Sequence, residues 1–274
     1  MKFCTNCGKQ LNDDAKFCDT CGAPVSGTQT PPPIPGTNEN VADDTKRKEV
    51  FVGVKRKCPV CGAEVPAFTL TCPNGIEYTL EKENKSDNKK IVKKYLDMWC
   101  TYRDSKMLEQ ENALSILFQH FYQNNNLQNV LVKVSCLNDF YSTNIRDTYS
   151  VAKVIYQLNI DRRLQNADLS LVDDIAAETE KNCKSGRREY SFATKYCSFH
   201  RPDVYPIFDS RNEKVLREYR KDINISPFTL RKSYEEYVKI INKYREIFGL
   251  ECFSYKEIDR FNWLFYNLKN EETI

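Results

Sequence analysis

Two thiol pairs near the start of the chain have the residue types and spacing of metal ligands. Cys4-Thr-Asn-Cys7-Gly8 and Cys18-Asp-Thr-Cys21-Gly22 are separated by ten residues. Thiolates two residues apart reach one ion from the same side, and a second such pair closes a tetrahedron of four sulfurs, the donor set of structural zinc. Gly8 and Gly22 stand where each knuckle needs a tight or left-handed backbone turn. A segment of about 25 residues cannot bury enough apolar surface to fold alone, so metal binding supplies most of its folding free energy. The spacing then returns with a defect. Cys58-Pro-Val-Cys61-Gly62 is followed, after ten residues, by Cys72-Pro-Asn-Gly75, with glycine where a fourth thiol belongs. Three thiolates hold zinc less tightly than four. The second site is therefore empty, weakly occupied, or completed by water, a distant side chain or a partner. The candidate zinc ligands are Cys4, Cys7, Cys18, Cys21, Cys58, Cys61 and Cys72.

The rest of the chain must be read as the elements around these knuckles. Residues 1–25 form a first zinc ribbon. Residues 26–50 form a Pro-rich linker around Pro31-Pro32-Pro33-Ile34-Pro35, extended and unable to build a core. Residues 51–82 form the degenerate second ribbon, with β-like flanks Phe51–Val54 and Ile76–Leu80, and the polar stretch 83–89 reads as a second linker. From 90 to 274 the pattern is helical. Leu230, Tyr234, Tyr237, Val238, Ile241, Tyr244 and Phe248 recur at helical spacing, and Gly249 follows as a stop signal. Ser254-x-x-Glu257 is a capping box ahead of Ile258, Phe261, Leu264 and Phe265, and Ser170-x-x-Asp173 opens another helix. Leu114–Tyr122, Leu127–Leu137 and Tyr149–Leu158 are further apolar helical stretches. The fold class is mainly α, a multi-helix bundle preceded by two small β zinc-ribbon modules.

Composition narrows the function less. The 274 residues carry 41 Lys and Arg against 38 Asp and Glu, a net charge of +3 that neither demands nor excludes a nucleic-acid partner. Basic pairs such as Arg162-Arg163 and Arg187-Arg188 read as solvated faces. The five cysteines outside the knuckles look like core thiols. No leader precedes Cys4 and no apolar run reaches membrane-spanning length, so a reducing cytoplasm and no membrane contact are expected. Cys197-x-x-His200 has a ligand-like spacing, but one pair completes no site and reads as a buried thiol beside a turn histidine. His120 reads as an ordinary core or surface residue.

Two segments of the helical region stand out. Residues 129–155 read as an apolar helix, a polar break from Asn138 to Asn144, and a second helix. Residues 190–210 read as a helix carrying Lys195, a Pro-marked turn through Tyr205-Pro206-Ile207-Phe208, and Asp209 at the head of the next helix. Together they resemble the core of the helix-hairpin-helix DNA glycosylases, the group of endonuclease-III-like and 8-oxoguanine glycosylase-like enzymes. Ser191-Phe192-Ala193-Thr194-Lys195 falls at the hairpin position, with small residues where that family has glycines, and Asp209 falls at the position of its carboxylate.

The resemblance implies DNA as partner and specific chemistry. A desolvated lysine amine, Lys195, attacks the sugar carbon bearing a damaged base and forms a Schiff base, while Asp209 stabilises positive charge on the sugar or assists proton transfer. The base must first leave the stack, so an aromatic pocket is expected, with Phe140, Tyr141, Phe192, Phe199 and Tyr205 as candidates to line it, against the plainer reading that rings at such spacing belong to the core. Two plainer roles compete: Lys195 as a surface lysine, and Asp209 as a helix cap ahead of Ser210-x-x-Glu213. At the level of the whole chain, the alternative is a zinc-ribbon adaptor or sensor that binds a protein partner through its ribbons and performs no catalysis.

Overall fold

The structure, a computed structural model, describes residues 2–3, 10–11, 55–57, 64–66, 79–100, 106–226, 230 and 232–271. The chain divides into two units, Met1–Lys55 and Arg56–Ile274. In the first, β1 (Lys2–Phe3) pairs antiparallel with β2 (Gln10–Leu11), Lys2 opposite Leu11 and Phe3 opposite Gln10. Further along, β3 (Lys55–Lys57) pairs with β4 (Glu64–Pro66). Both strand pairs flank a knuckle at the same sequence spacing. The leading strand ends one residue before the first thiol, Cys4 or Cys58, and the return strand opens three residues after the second, Cys7 or Cys61. The copy that lacks a fourth thiol thus keeps the strand frame of the intact copy. All seven candidate zinc ligands, the Pro-rich linker and the expected strand Phe51–Val54 lie outside the described residues. Leu80, expected at the end of a strand, lies in none; its backbone N–H donates to the Tyr219 hydroxyl at 3.0 Å.

The helices of the second unit are α1 (Lys85–Trp99), α2 (Lys106–His120), α3 (Leu127–Phe140), α4 (Thr148–Leu158), α5 (Asp161–Gln165), α6 (Ser170–Asn182), α7 (Tyr190–His200), α8 (Ser210–Glu218), α9 (Tyr234–Phe248) and α10 (Tyr255–Glu271). Their ends follow local chemistry. Ser233 caps α9 by accepting from the Glu236 N–H, and Gly249 closes it at φ 70°, in the left-handed region. Ser254 and Glu257 form the expected reciprocal box: the Ser254 N–H donates to Glu257 Oε2 at 2.7 Å and the Glu257 N–H to Ser254 Oγ at 3.2 Å. Ser170 opens α6 but does not cap it; its own N–H is held by Asp168 Oδ1 at 3.0 Å.

Two expectations are corrected. The polar stretch 83–89, read as a linker, contains the first turn of α1. Its hydrophilic sequence conceals Asn88, which is buried and bonds the backbone of Glu81 and the carbonyl of Phe248, while Val92, Tyr95 and Trp99 face the core. The hairpin expected at Ser191–Lys195 is also absent. Those residues are the first turns of α7, and the turn precedes them at 183–189, with Gly186 at φ 57°.

α3 packs on α4, α4 on α6, and α6 on α7 and α9; α2 packs on α3 and α7, and α10 on α1 and α8. The core between them is rich in rings. Tyr95 meets Phe261 edge-on at 5.2 Å, and Tyr219 meets Phe248 at 4.9 Å. Each buried ring of this size contributes on the order of 1.5–3 kcal/mol. Three buried tyrosines, Tyr205, Tyr234 and Tyr237, place their hydroxyls on backbone carbonyls.

Candidate functional site: a lysine-lined cleft

One loop and two helix ends carry the site. The loop 201–209 joins α7 to α8 and is held from three sides. Tyr205 donates to the Asp168 carbonyl at 3.0 Å, Tyr234 to the Pro206 carbonyl at 2.7 Å, and Tyr237 to the Ile207 carbonyl at 2.6 Å. From α7, Thr194 Oγ1 accepts from the Phe208 N–H at 3.1 Å. These bonds fix the chain up to Asp209, which caps α8. Its Oδ1 accepts from the N–H groups of Arg211 at 3.0 Å and Asn212 at 2.9 Å, while Oδ2 has no partner among the described residues.

Lys195, one residue beyond Thr194 on α7, is only 3% exposed. Its Nζ donates to Ser191 Oγ at 2.7 Å and sits 5.6 Å from the centre of the Tyr141 ring. Burial lowers the pKa of the amine, while the charges of Asp209 and Asp259 act in the opposite direction. A surface lysine is therefore the wrong description. Lys195 and Asp209 line the same cleft, of about 990 Å³. Asp209 is a cap and a cleft residue at once.

The aromatic expectation holds in part. Phe140, Tyr141 and Phe192 line the cleft; Tyr190, Phe208 and Trp263 join them. Phe199 lies behind, edge-on to Tyr141 at 5.8 Å, and Tyr205 is a fully buried core ring stacked on Tyr234.

Charged groups missed in the sequence support this wall. Glu111 on α2 binds Lys256 at 2.6 Å and Arg260 at 2.8 Å, both on α10, and Lys256 also donates to the Tyr141 hydroxyl at 3.0 Å. The triad ties α2 to α10 and holds the ring that faces Lys195. Behind Asp209, Asn212 donates to Asp259 Oδ1 at 2.6 Å and accepts from Asn262 Nδ2 at 2.8 Å. Burial, and then the charge of Asp209, raise the Asp259 pKa to about 6.

The other sequence candidates lie elsewhere. Cys197 is fully buried, and burial pushes its thiol pKa up, as for an inert core cysteine. His200 Nε2 lies 3.3 Å from both Lys133 Nζ and Asn124 Nδ2. Both neighbours are donors, so Nε2 is the acceptor and the ring is neutral. Burial, with the adjacent Lys133 charge, holds its pKa down to about 3. His120 is exposed. No cluster of His, Cys, Asp and Glu suited to a metal occurs among the described residues. None of the helices among them is long and apolar enough to cross a membrane.

Comparison with known proteins separates the knuckle region from the helices. Residues 4–74, which span every knuckle cysteine, match the double zinc ribbon. The chain binds zinc. Residues 91–204 match a family model described as an N-terminal domain, ending five residues before Asp209. An uncharacterized protein of Haemophilus influenzae is 37% identical over 143 residues, 50% of this chain and 66% of that protein. An uncharacterized protein of Synechocystis is 50% identical over 34 residues, 12% of this chain and 10% of that protein. The chain thus spans less than two thirds of either relative. No solved structure matches at a significant level.

Proposed function

We propose that the protein is a zinc-stabilised nucleic-acid-binding protein whose helical domain takes one unstacked nucleotide into the Lys195 cleft. What supports this most is the state of Lys195: an amine 97% removed from solvent, on an aromatic-lined cleft, with one hydrogen-bond partner for three N–H groups. Packing cannot explain a buried ammonium that leaves most of its donors unspent, because such a group costs stability. A group awaiting a ligand can. Tyr141 and Tyr190 line the cleft as rings against which a base can lie. At an abasic site, the neutral amine of Lys195 adds to the C1′ aldehyde and the carbinolamine loses water; at an oxidised base the amine displaces the base, which leaves with a proton, and the C1′–O4′ bond then opens with O4′ taking a proton. Both routes leave a protonated Schiff base, with Oδ2 of Asp209 facing the positive charge.

In the ribbons, Cys4, Cys7, Cys18 and Cys21 form the four-sulfur zinc site. Cys58, Cys61 and Cys72 form the incomplete one, and either ribbon can add a contact to DNA or to a protein partner.

Borohydride trapping tests the reaction. Wild-type protein is expected to form a reducible adduct with a duplex carrying an abasic site, and K195A to form none. No adduct from folded wild-type protein across a panel of lesions removes the lyase step. DNA affinity indifferent to salt removes nucleic-acid binding altogether. Metal analysis tests the ribbons: about one zinc per chain is expected from a closed first site and an open second, and a C21S variant should lose it.

A further inference from the structure

The cationic residues of the cleft are not equivalent. Arg188 bonds Asp173 at 3.1 Å, and Arg187 reaches the Asn144 carbonyl at 3.2 Å and Glu189 at 3.5 Å, so both are largely neutralised within the protein. Arg211, in the first turn of α8, differs. Its Nε donates to Asn267 Oδ1 at 3.0 Å, and its guanidinium lies 4.9 Å from the centre of the Trp263 ring. A stack and a bond from behind immobilise the side chain. Its Nη1 and Nη2 have no acceptor among the described residues, so four N–H donors remain unspent on the wall of the cleft.

Lys195 supplies a second, independent indication. It is buried on the same cleft and has two unspent N–H groups. The positive charge of Arg211 acts against protonation of Lys195, so two like charges face a partly desolvated space without enough internal acceptors. The charges of Asp209 and Asp259 offset part of this, but Asp209 Oδ1 is committed to the N-terminus of α8, and its single remaining oxygen is too few for the six unspent N–H groups of Arg211 and Lys195. An incoming anion with several acceptor oxygens would relieve both cations. A planar fork held rigid by stacking suits two oxygens of one phosphate better than a single point charge does.

We propose that Arg211 is the phosphate-binding fork of the cleft, gripping the phosphate of the nucleotide whose base lies against the aromatic wall. This rests on the nucleic-acid reading given above and assigns the ligand's phosphate to one side chain.

The test uses full-length, zinc-loaded protein and a fluorescein-labelled single strand with one tetrahydrofuran abasic analogue, followed by anisotropy across a salt series. R211A is expected to weaken binding about tenfold and to flatten the slope of log K against log salt by about 1. R211K is expected to restore the slope but to stay several-fold weaker, since an ammonium cannot make the paired contact. Competition with thymidine monophosphate, against inorganic phosphate, identifies the source. Displacement by the mononucleotide that disappears in R211A means that a free nucleotide suffices for the fork, and displacement by unlabelled strand alone means that it needs a strand. Wild-type affinity and slope in R211A overturn the fork while leaving the nucleic-acid reading intact. Failure of the wild-type protein to bind the strand in a salt-sensitive way overturns both. If R211A loses its cooperative unfolding transition, R211K decides, because it keeps the charge, and full wild-type affinity there overturns the fork.

Discussion

Replacing Lys195 by methionine should make the protein more stable. The side chains have similar length, so the change removes a charge from a buried position and leaves little cavity. The ammonium is 3% exposed and has one hydrogen bond, to Ser191 Oγ at 2.7 Å, with the Tyr141 ring at 5.6 Å. Losing the bond costs about 1 kcal/mol and losing the ring contact about 0.5–1 kcal/mol. Releasing the burial penalty of the ion returns several kcal/mol. The net expectation is a gain of about 1–2 kcal/mol at neutral pH, read by far-UV circular dichroism as a rise in Tm of about 2–4 °C per kcal/mol. The pH dependence has a definite sign. The amine's pKa is lowered in the folded state relative to 10.5, so the unfolded chain binds the proton more tightly between those two values. The wild type's disadvantage is therefore complete below the folded pKa and shrinks as pH rises towards 10.5. K195M and wild type should converge in alkaline buffer. A loss of more than about 1 kcal/mol in K195M, or a gap that ignores pH, would mean that the amine holds the fold together and would refute the argument.

Two further outcomes follow from the same structure. In G249A, the alanine would sit at φ 70° with its Cβ 2.7 Å from the Cβ of Lys85, so the chain should lose about 2–3 kcal/mol in thermal unfolding, more than a left-handed residue alone costs. For His200, the folded pKa of about 3 against 6.5 unfolded means that the unfolded state takes up a proton the folded state refuses; stability should fall as pH drops through 6.5 and keep falling to about 3, by at most about 5 kcal/mol, and H200Q should flatten that limb of a urea-denaturation series.

The elements were legible where a short stretch of chain determines them. The Ser254–Glu257 box, the Gly249 stop, the apolar face of α9 and the capping place of Asp209 each follow from residues within one or two turns. The start of α1 was not legible, because a helix whose outer face is lysine reads as polar linker until its partners are known, and Asn88 finds its partner 160 residues away at Phe248. The site was half legible for the same reason. Lys195 and Asp209 are near in sequence and were found by their pattern. The supports that give the cleft its shape were not: Glu111 meets Arg260 across 149 residues, and Tyr141 meets Lys256 across 115. No local period carries such pairs. The aromatic residues show the limit from the other side. Tyr205 and Tyr141 look equally suited to a pocket as letters, and only the fold sends one to the core and the other to the cleft.

The plain and the chemical readings of Asp209 are usually set against each other, yet here the two oxygens divide them. Oδ1 satisfies two N–H groups of α8 and fixes the rotamer of the side chain; Oδ2 keeps its acceptor capacity on a cleft residue. A carboxylate that must face a transient positive charge gains from being held this way, because no reorganisation is needed when the charge appears. The backbone behind it is equally constrained, by Tyr234, Tyr237 and Thr194 on three successive residues. Lys195 shows the opposite economy, a flexible chain buried with too few partners. A rigid acceptor and an under-satisfied donor on one wall are the two features that the proposed covalent step would draw on, and the second does not improve the packing of the helix that carries it.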